Sequence, residues 1–255
     1  MAVIALASAS GSPGVTTTSL GLALFWPRPV LLIEADPTGG SGLLAGYFRG
    51  TREYAAGLIE LALTSNSVAD ALAEVAQPIE GTQVSFVAGT RSHAQAGALQ
   101  NLWKPLAEGL AELESTGQDV IVDTGRLGLT GAPEPLLAHA DLTLLLTRTT
   151  LPALSALRSW ADSLERGSFE WQQSGVFVVG DGQPYGSHEV AAVLNLPVIA
   201  TLADDPESAA VFHRGATPPR RFEAGPLARS LRAAVAALHA TITRRRAELM
   251  ERAPS

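Results

Sequence analysis

A glycine-rich turn between an apolar strand-like run and an apolar helix-like run constrains this chain more than any other feature. The turn occupies residues 8–18 and reads Ser-Ala-Ser-Gly-Ser-Pro-Gly-Val-Thr-Thr-Thr. It follows the run Val3–Ala7 and precedes the run Ser19–Phe25. In such a turn the backbone N–H groups and the N-terminus of the following helix converge on one point, which suits an anion. The sequence therefore predicts a strand–loop–helix unit with a phosphate cradle at its corner.

The turn carries no positive charge of its own. The common phosphate-binding loop reads G-x-x-x-x-G-K-[ST], with a lysine that reaches the phosphates. Val15 stands at the lysine position here, and Lys104 is the only lysine in the sequence. The loop thus keeps its glycines and threonines but has lost the charge that normally accompanies them.

Short apolar runs alternate with longer segments of helical period along the chain. The strand candidates are Val3–Ala7, Val30–Glu34, Val84–Ala88, Val120–Val122, Leu142–Leu146, Val176–Val179 and Val198–Ala200. The helix candidates are Thr16–Phe25, Tyr54–Leu63, Val68–Glu74, Gln95–Leu113, Pro152–Leu164, Ser187–Leu194, Ser208–His213 and Leu227–Met250. This alternation predicts a single α/β domain: a mainly parallel twisted sheet of about seven strands with helices on both faces.

Composition excludes several classes of protein. The chain has 255 residues, 46% of them hydrophobic, and a formal net charge of −7, so the overall field gives no strong nucleic-acid signal. There is no cysteine, and the five histidines have no metal-ligand spacing. No signal peptide and no uncharged apolar run long enough to span a membrane is evident. We therefore expect a cytoplasmic protein.

Three segments have the order and spacing of one known family. They are the turn itself, Leu31-Leu32-Ile33-Glu34-Ala35-Asp36-Pro37, and Asp119-Val120-Ile121-Val122-Asp123-Thr124-Gly125. Together they resemble the ParA/MinD family of P-loop ATPases, whose Walker A loop is of the deviant type. Two further segments resemble the family less strongly: Ala56–Leu61 and Leu202-Ala203-Asp204-Asp205-Pro206. The resemblance spans roughly residues 1–215 and implies a P-loop NTPase-like fold.

The resemblance also assigns roles to individual positions. It implies a nucleotide site formed by Gly11, Ser12, Gly14, Val15, Thr16, Thr17 and Asp181. Asp36 matches the acid that orients the attacking water, which makes it the catalytic candidate. Thr16 and Asp123 match the residues that hold Mg²⁺. Asp181 follows Gly180 where an asparagine that reads adenine is common.

The departures from the family pattern concern positive charge. Ser10 replaces the signature lysine that reaches across the family's dimer, and Val15 replaces the lysine that bridges two phosphates. Phosphoryl transfer depends on positioning and charge stabilisation, so loss of such a cation costs on the order of 10³–10⁵ in rate. We therefore expect binding of ATP and Mg²⁺ to be weak or lost. An arginine is an alternative source of charge, and Arg126 and Arg148 are the nearest candidates.

The family resemblance implies a function in spatial organisation: chromosome partitioning, septum placement or the positioning of pilus or secretion machinery. The expected partners are proteins, including a second copy as a homodimer. The TadZ/CpaE-like branch tolerates altered Walker A loops, as seen here. Residues 1–226 are expected to form the P-loop domain, and residues 227–255 an amphipathic helix with a basic tail packed on it. That helix has two interpretations: it packs on the core, or it contacts a membrane or a partner protein. In the second case the protein is expected at the membrane periphery or at a cell pole.

Other interpretations of the same residues remain open. The glycines serve equally well in a tight turn, Asp36-Pro37 in a turn that ends a strand, and Asp123-Thr124 in a helix cap. An active ATPase with an arginine or a partner's cation is a second functional hypothesis. A third is a dinucleotide-binding oxidoreductase, because Glu34 ends a strand about 20 residues beyond the glycine turn.

Overall fold

One mixed sheet dominates the computed structural model, which describes residues 1–113 and 117–252. In this part of the chain the strands are β1 (Val3–Ser8), β2 (Val30–Glu34), β3 (Gln77–Pro78), β4 (Val84–Val87), β5 (Asp119–Arg126), β6 (Leu142–Arg148), β7 (Ser174–Val179) and β8 (Val198–Leu202). Their spatial order is β3-β4-β2-β5-β1-β6-β7-β8. All neighbours are parallel except β3 and β4. The predicted fold class is confirmed.

Helices cover both faces of the sheet. They are α1 (Val15–Leu24), α2 (Leu58–Ala62), α3 (Val68–Val75), α4 (Trp103–Glu112), α5 (Glu134–His139), α6 (Leu151–Glu165), α7 (Ser187–Leu194), α8 (Pro206–Arg214) and α9 (Pro226–Arg252). A π-helical turn, Leu43–Tyr47, and two 3₁₀ segments, His93–Leu99 and Phe222–Ala224, complete the described structure. Alternate strand residues face opposite sides. As a result α1, α8 and α9 pack on one face, and α2 to α7 pack on the other.

The strand order separates β1 from β2 by one strand. β5 lies between them, with Leu6 and Glu34 both opposite Asp123 in register. In a dinucleotide-binding sheet the first two strands of the chain are adjacent. This topology therefore does not match the oxidoreductase alternative, and it brings the C-terminal ends of β1, β2 and β5 together beside the glycine-rich turn.

Several predicted elements have different bounds in the structure. The segment Tyr54–Leu63 is helical only in α2, because the hydroxyl of Tyr54 donates a hydrogen bond to the carbonyl of Gly89 (3.0 Å) and holds residues 54–57 as a loop. The single helix predicted over Gln95–Leu113 is a 3₁₀ segment followed by α4. β3 and α5 were not predicted. β3 has only two residues, and its proline lacks a backbone donor, which suits a sheet edge.

Helix α9 packs along β8 and α1 through its apolar stripe. Leu231 and Leu238 are buried there, and Leu231 lies against Gly21 of α1. Arg246 near its end contacts Asp141 (3.1 Å). Beyond that contact Leu249 and Met250 are exposed. Residues 253–255 of the predicted basic tail lie outside the described residues. Among the helices described, none is long and apolar enough to cross a bilayer.

Candidate nucleotide-binding site

The glycine-rich turn wraps around the corner between β1 and α1. Gly11, Ser12 and Gly14 adopt positive φ angles of 71°, 48° and 98°. Gly14 is the N-cap of α1 and offers no side-chain cap, and the first turn of the helix contains no acidic residue. The first-turn N–H groups therefore remain available to an anion, as the sequence predicted for a phosphate cradle.

Val15 begins α1 and is largely buried. Only 6% of its surface is exposed, and it belongs to the hydrophobic cluster on the face covered by α1, α8 and α9. The same side chain forms part of the wall of the adjoining cleft. Val15 therefore contributes apolar packing at this position and provides no charge for a bound anion.

The cleft beside the turn has a volume of about 710 Å³. It extends from the turn to the C-terminal ends of β6 and β8 and to α8. The predicted residues Gly11, Ser12, Gly14, Val15, Thr16, Thr17 and Asp36 all line it. This volume falls within the range of small-molecule and cofactor sites.

Two acidic residues lie beside the turn: Asp36 forms part of the cleft wall, whereas Asp123 is buried and does not line the cleft. Asp36 comes two residues after β2, and Asp123 lies within β5, where its carbonyl accepts a hydrogen bond from the N–H of Ala35 (2.7 Å). The Asp36 carboxyl packs directly on Gly125, and a Cβ at that glycine would collide with it. Gly125 also has a φ of 66°, so glycine is required here on two grounds.

Asp123 is a buried carboxyl without a cationic partner among the described residues. Burial raises its pKa to about 7, and the nearby charges of Asp36 and Glu34 contribute to the increase. Polar contact with Thr16 and a hydrogen bond from the N–H of Gly125 (3.0 Å) act in the opposite direction. The protein thus keeps a carboxyl here that a neighbouring cation would stabilise in its charged form.

Glu34 is buried beneath this wall and does not line the cleft. Its carboxylate accepts hydrogen bonds from the hydroxyl of Ser41, the N–H of Leu43 (2.9 Å) and the N–H of Gly89 (3.4 Å). Burial raises its pKa, although these hydrogen bonds lower it. Glu34 therefore fixes residues 41–43, and its oxygens are not presented to a ribose in the cleft.

Thr16 and Asp123 provide the oxygen donors that suit Mg²⁺. A hydroxyl with one or two carboxylates is a common protein contribution to a Mg²⁺ shell, while water and phosphate supply the rest. In the residues that the structure describes, no group of three or more histidine or acidic side chains could hold a metal by itself. The arrangement fits a cation that arrives with a ligand better than a closed metal site.

Two arginines line the cleft and differ in their partners. Arg148 at the end of β6 donates two hydrogen bonds to Asp204 (2.6 and 3.2 Å), and the pair links β6 to the end of β8. Arg126 at the end of β5 is exposed and has no side-chain hydrogen bond or ion pair within residues 1–113 and 117–252. Sequence reasoning identifies Asp204 only as part of a motif and does not predict its pairing with Arg148.

Asp181 lies apart from the other predicted residues. It is exposed in the loop between β7 and α7, and its carboxylate accepts a hydrogen bond from the N–H of Ser187 (2.6 Å) at the start of α7. It is not among the residues that line the cleft. Its role in base recognition stays a prediction.

No family model and no curated protein matches this chain, but solved structures do. The cell division ATPase MinD of Pyrococcus furiosus superposes with a TM-score of 0.73 at 16% identity, covering 94% of this chain and 99% of that one. MinD of Aquifex aeolicus superposes with a TM-score of 0.72 at 16% identity, covering 94% of this chain and 98% of that one. A ParA family ATPase of Chlorobium tepidum gives 0.69 at 13% identity, with 92% and 97% covered.

These comparisons define the class of fold. The chain has the α/β fold of P-loop ATPases, with its glycine-rich turn between β1 and α1. Within that class its fold is that of the MinD and ParA structures, and it spans nearly their whole length.

Proposed function

We propose that this chain is a MinD/ParA-like spatial-organisation protein that acts as a scaffold and hydrolyses ATP weakly or not at all. Chromosome partitioning, septum placement and the positioning of pilus or secretion machinery are the candidate processes. The observation that carries the proposal is the cradle itself. Its backbone geometry is retained, whereas Val15 is packed into the core where a phosphate-binding lysine would stand. Lys104 is an exposed side chain of α4 beside Glu108 and lies outside the cleft lining.

A turnover assay tests the enzymatic half of this proposal. The purified protein with Mg-ATP is expected to release phosphate at the rate of a protein-free blank, and Asp36→Ala is expected to change nothing. Robust hydrolysis that disappears in Asp36→Ala would overturn the scaffold proposal. The double variant Ser10→Lys/Val15→Lys is assayed in parallel, because it places lysines at both positions where the family resemblance expects them.

Fluorescence microscopy of a tagged chain in its native host tests the spatial half. We expect a localised signal, at foci, a pole or midcell, which persists in Asp36→Ala because it does not depend on hydrolysis. A uniform signal in dividing cells would contradict the proposal. Protein partners are expected by analogy with the MinC:MinD complex of Aquifex aeolicus, whose MinD shares this fold.

The end of α9 is the proposed contact with a membrane or partner. Past the Arg246–Asp141 ion pair, the helix exposes Leu249 and Met250, and Arg244 is exposed before that pair. Deletion of residues 243–255 is expected to release the protein from anionic vesicles or from its partner in a sedimentation assay. Unchanged association would exclude this role.

An active ATPase is the second candidate, and one observation favours it. Arg126 lines the cleft without an ion-pair partner in the described structure, so a cation is available. Turnover that Arg126→Ala abolishes would support this candidate. Turnover that stays at the blank level, even with a partner present, would exclude it.

A further inference from the structure

Among the described residues that line the cleft, the only side chains that are always cationic at neutral pH are arginines. Arg126 and Arg148 are the arginines that line it, and the chain's single lysine is elsewhere. The two Arg148–Asp204 hydrogen bonds already pair the guanidinium with a carboxylate. A bound anion would have to compete with that carboxylate for the same N–H groups. Arg148 is therefore best suited to fastening β6 to β8 across β7.

The backbone holds Arg126 next to the start of the glycine-rich turn. Arg126 is the register partner of Ser8, the last residue of β1. The N–H of Leu127 donates a hydrogen bond to the carbonyl of Ser8 (2.9 Å), and the hydroxyl of Ser8 lies 3.5 Å from the carbonyl of Gly125. These contacts fix both sides of Arg126, while its exposed side chain forms part of the cleft wall.

We propose that Arg126 supplies the positive charge for the phosphates of a nucleoside diphosphate or triphosphate bound at the cradle. The guanidinium is always charged and offers a planar fork of donors that matches phosphate oxygens. Its position beside the turn lets it act with the free N–H groups at the start of α1. Arg126 thereby takes over the phosphate-binding part of the role for which Val15 provides no charge. The inference concerns the ligand of the proposed cleft and does not require hydrolysis.

Isothermal titration of the full chain with Mg-ADP, Mg-ATP and pyrophosphate tests this inference. Arg126→Ala is expected to raise Kd roughly ten- to hundredfold for all three, the usual consequence of removing a charged hydrogen-bonding partner. Arg126→Lys should retain part of the affinity. Adenosine, which lacks phosphate, should bind the wild type and Arg126→Ala equally.

Two controls separate Arg126 from charge in general. Arg166→Ala removes an exposed arginine near the end of α6, far from the cleft lining, and should leave every Kd unchanged. Arg148→Ala removes the paired arginine of the cleft and should affect pyrophosphate less than Arg126→Ala does. Circular dichroism of each variant verifies folding.

The inference is overturned if Arg126→Ala binds like the wild type, if Arg148→Ala loses as much pyrophosphate affinity, or if the wild type binds none of the three phosphates. None of these results tests the proposed scaffold function, which the microscopy experiment addresses separately. Conversely, vigorous hydrolysis in the same samples would overturn the scaffold proposal while leaving the role of Arg126 in place.

Discussion

Strand β5 carries one buried aspartate at its N-terminal end, Asp119, and another in its C-terminal half, Asp123, and their surroundings are opposite. Asp119, at the N-terminal end, accepts hydrogen bonds from the N–H of Ala2 (2.7 Å) and the indole N–H of Trp26 (2.8 Å). The guanidinium of Arg28 lies 2.6 Å from the same carboxylate. Asp123, at the cleft end, is equally buried, and the described structure pairs it with no cation.

This difference separates an aspartate whose charge is compensated within the chain from one whose charge is not. Burying a carboxylate is costly unless donors and a cation compensate it. Asp119 meets that requirement, and thereby ties the N-terminal strand and the segment after α1 to the sheet. Asp123 instead lies near Asp36 and Glu34, which repel its charge. Its charged form is therefore costly to bury in the chain by itself, and a cation bound nearby would reduce that cost.

The largest predicted effect is at the structural end. Asp119→Ala removes the acceptor of three donors and leaves the indole N–H of Trp26 buried without a partner. We expect the free energy of unfolding to fall by about 3 kcal/mol in urea denaturation. Asp119→Asn, which keeps part of the hydrogen bonding, should lose less. A loss below about 1 kcal/mol for the alanine variant would mean that the donors find water instead.

For Asp123, nearer the cleft, we expect the opposite effect: its replacement should raise the free energy of unfolding. The folded carboxyl of Asp123 keeps its proton up to its pKa of about 7, whereas an unfolded aspartate loses it near pH 4. Between these values the folded state binds more protons, so stability falls as pH rises. Asp123→Asn should therefore have a higher free energy of unfolding than the wild type at pH 8 in chelator.

The pH dependence of that difference is its control. The gain from Asp123→Asn should shrink as pH falls and vanish near pH 4, where the wild-type carboxyl is protonated as well. A gain that is constant with pH would point to packing instead of charge. Urea denaturation of both proteins across this pH range provides the measurement.

A third variant leaves both buried aspartates of β5 without a cationic partner in the described structure. Arg28→Gln removes the cation from Asp119 while the donors of Ala2 and Trp26 remain. Because Arg28 is half exposed, we expect a loss of only about 1 kcal/mol at neutral pH. Because salt screens a half-exposed ion pair, the loss should diminish when NaCl is raised to about 1 M. An equal loss at low and high salt would show that the charge of Arg28 is unimportant.

The sequence was sufficient for the sheet because its strands are continuous apolar runs. Val30–Glu34 agrees with β2 to the residue, and the other parallel strands were located within a few residues. Elements set by tertiary contacts were missed. β3 is two residues long, and no local sequence pattern predicts its pairing with β4. The predicted start at Tyr54 failed because the Tyr54 hydroxyl bonds to Gly89, a partner far along the chain.

For the candidate site, local sequence predicted which residues end the strands but not what they contact. Asp36 and Asp123 were singled out, and the fold brings both close to the turn, Asp36 in the cleft lining and Asp123 buried. Partners distant in sequence could not be foreseen, as with the Arg148–Asp204 pair. The difference between Arg126 and Arg148 depends on such a partner, so only the structure distinguishes them.

The smallest predicted effect concerns Mg²⁺ without nucleotide. A divalent cation near Asp123 and Thr16 would offset the repulsion from Asp36 and stabilise the folded state by linkage. At pH 8 we expect millimolar MgCl₂ to raise the free energy of unfolding by less than about 1 kcal/mol, because most of the Mg²⁺ shell must still be water. Asp123→Asn should abolish this gain, whereas Asp70→Asn, at an exposed position of α3, should leave it intact. The same ionic strength from NaCl should not reproduce it. A gain that survives in Asp123→Asn would assign it to general screening and remove the functional distinction between the two ends of β5.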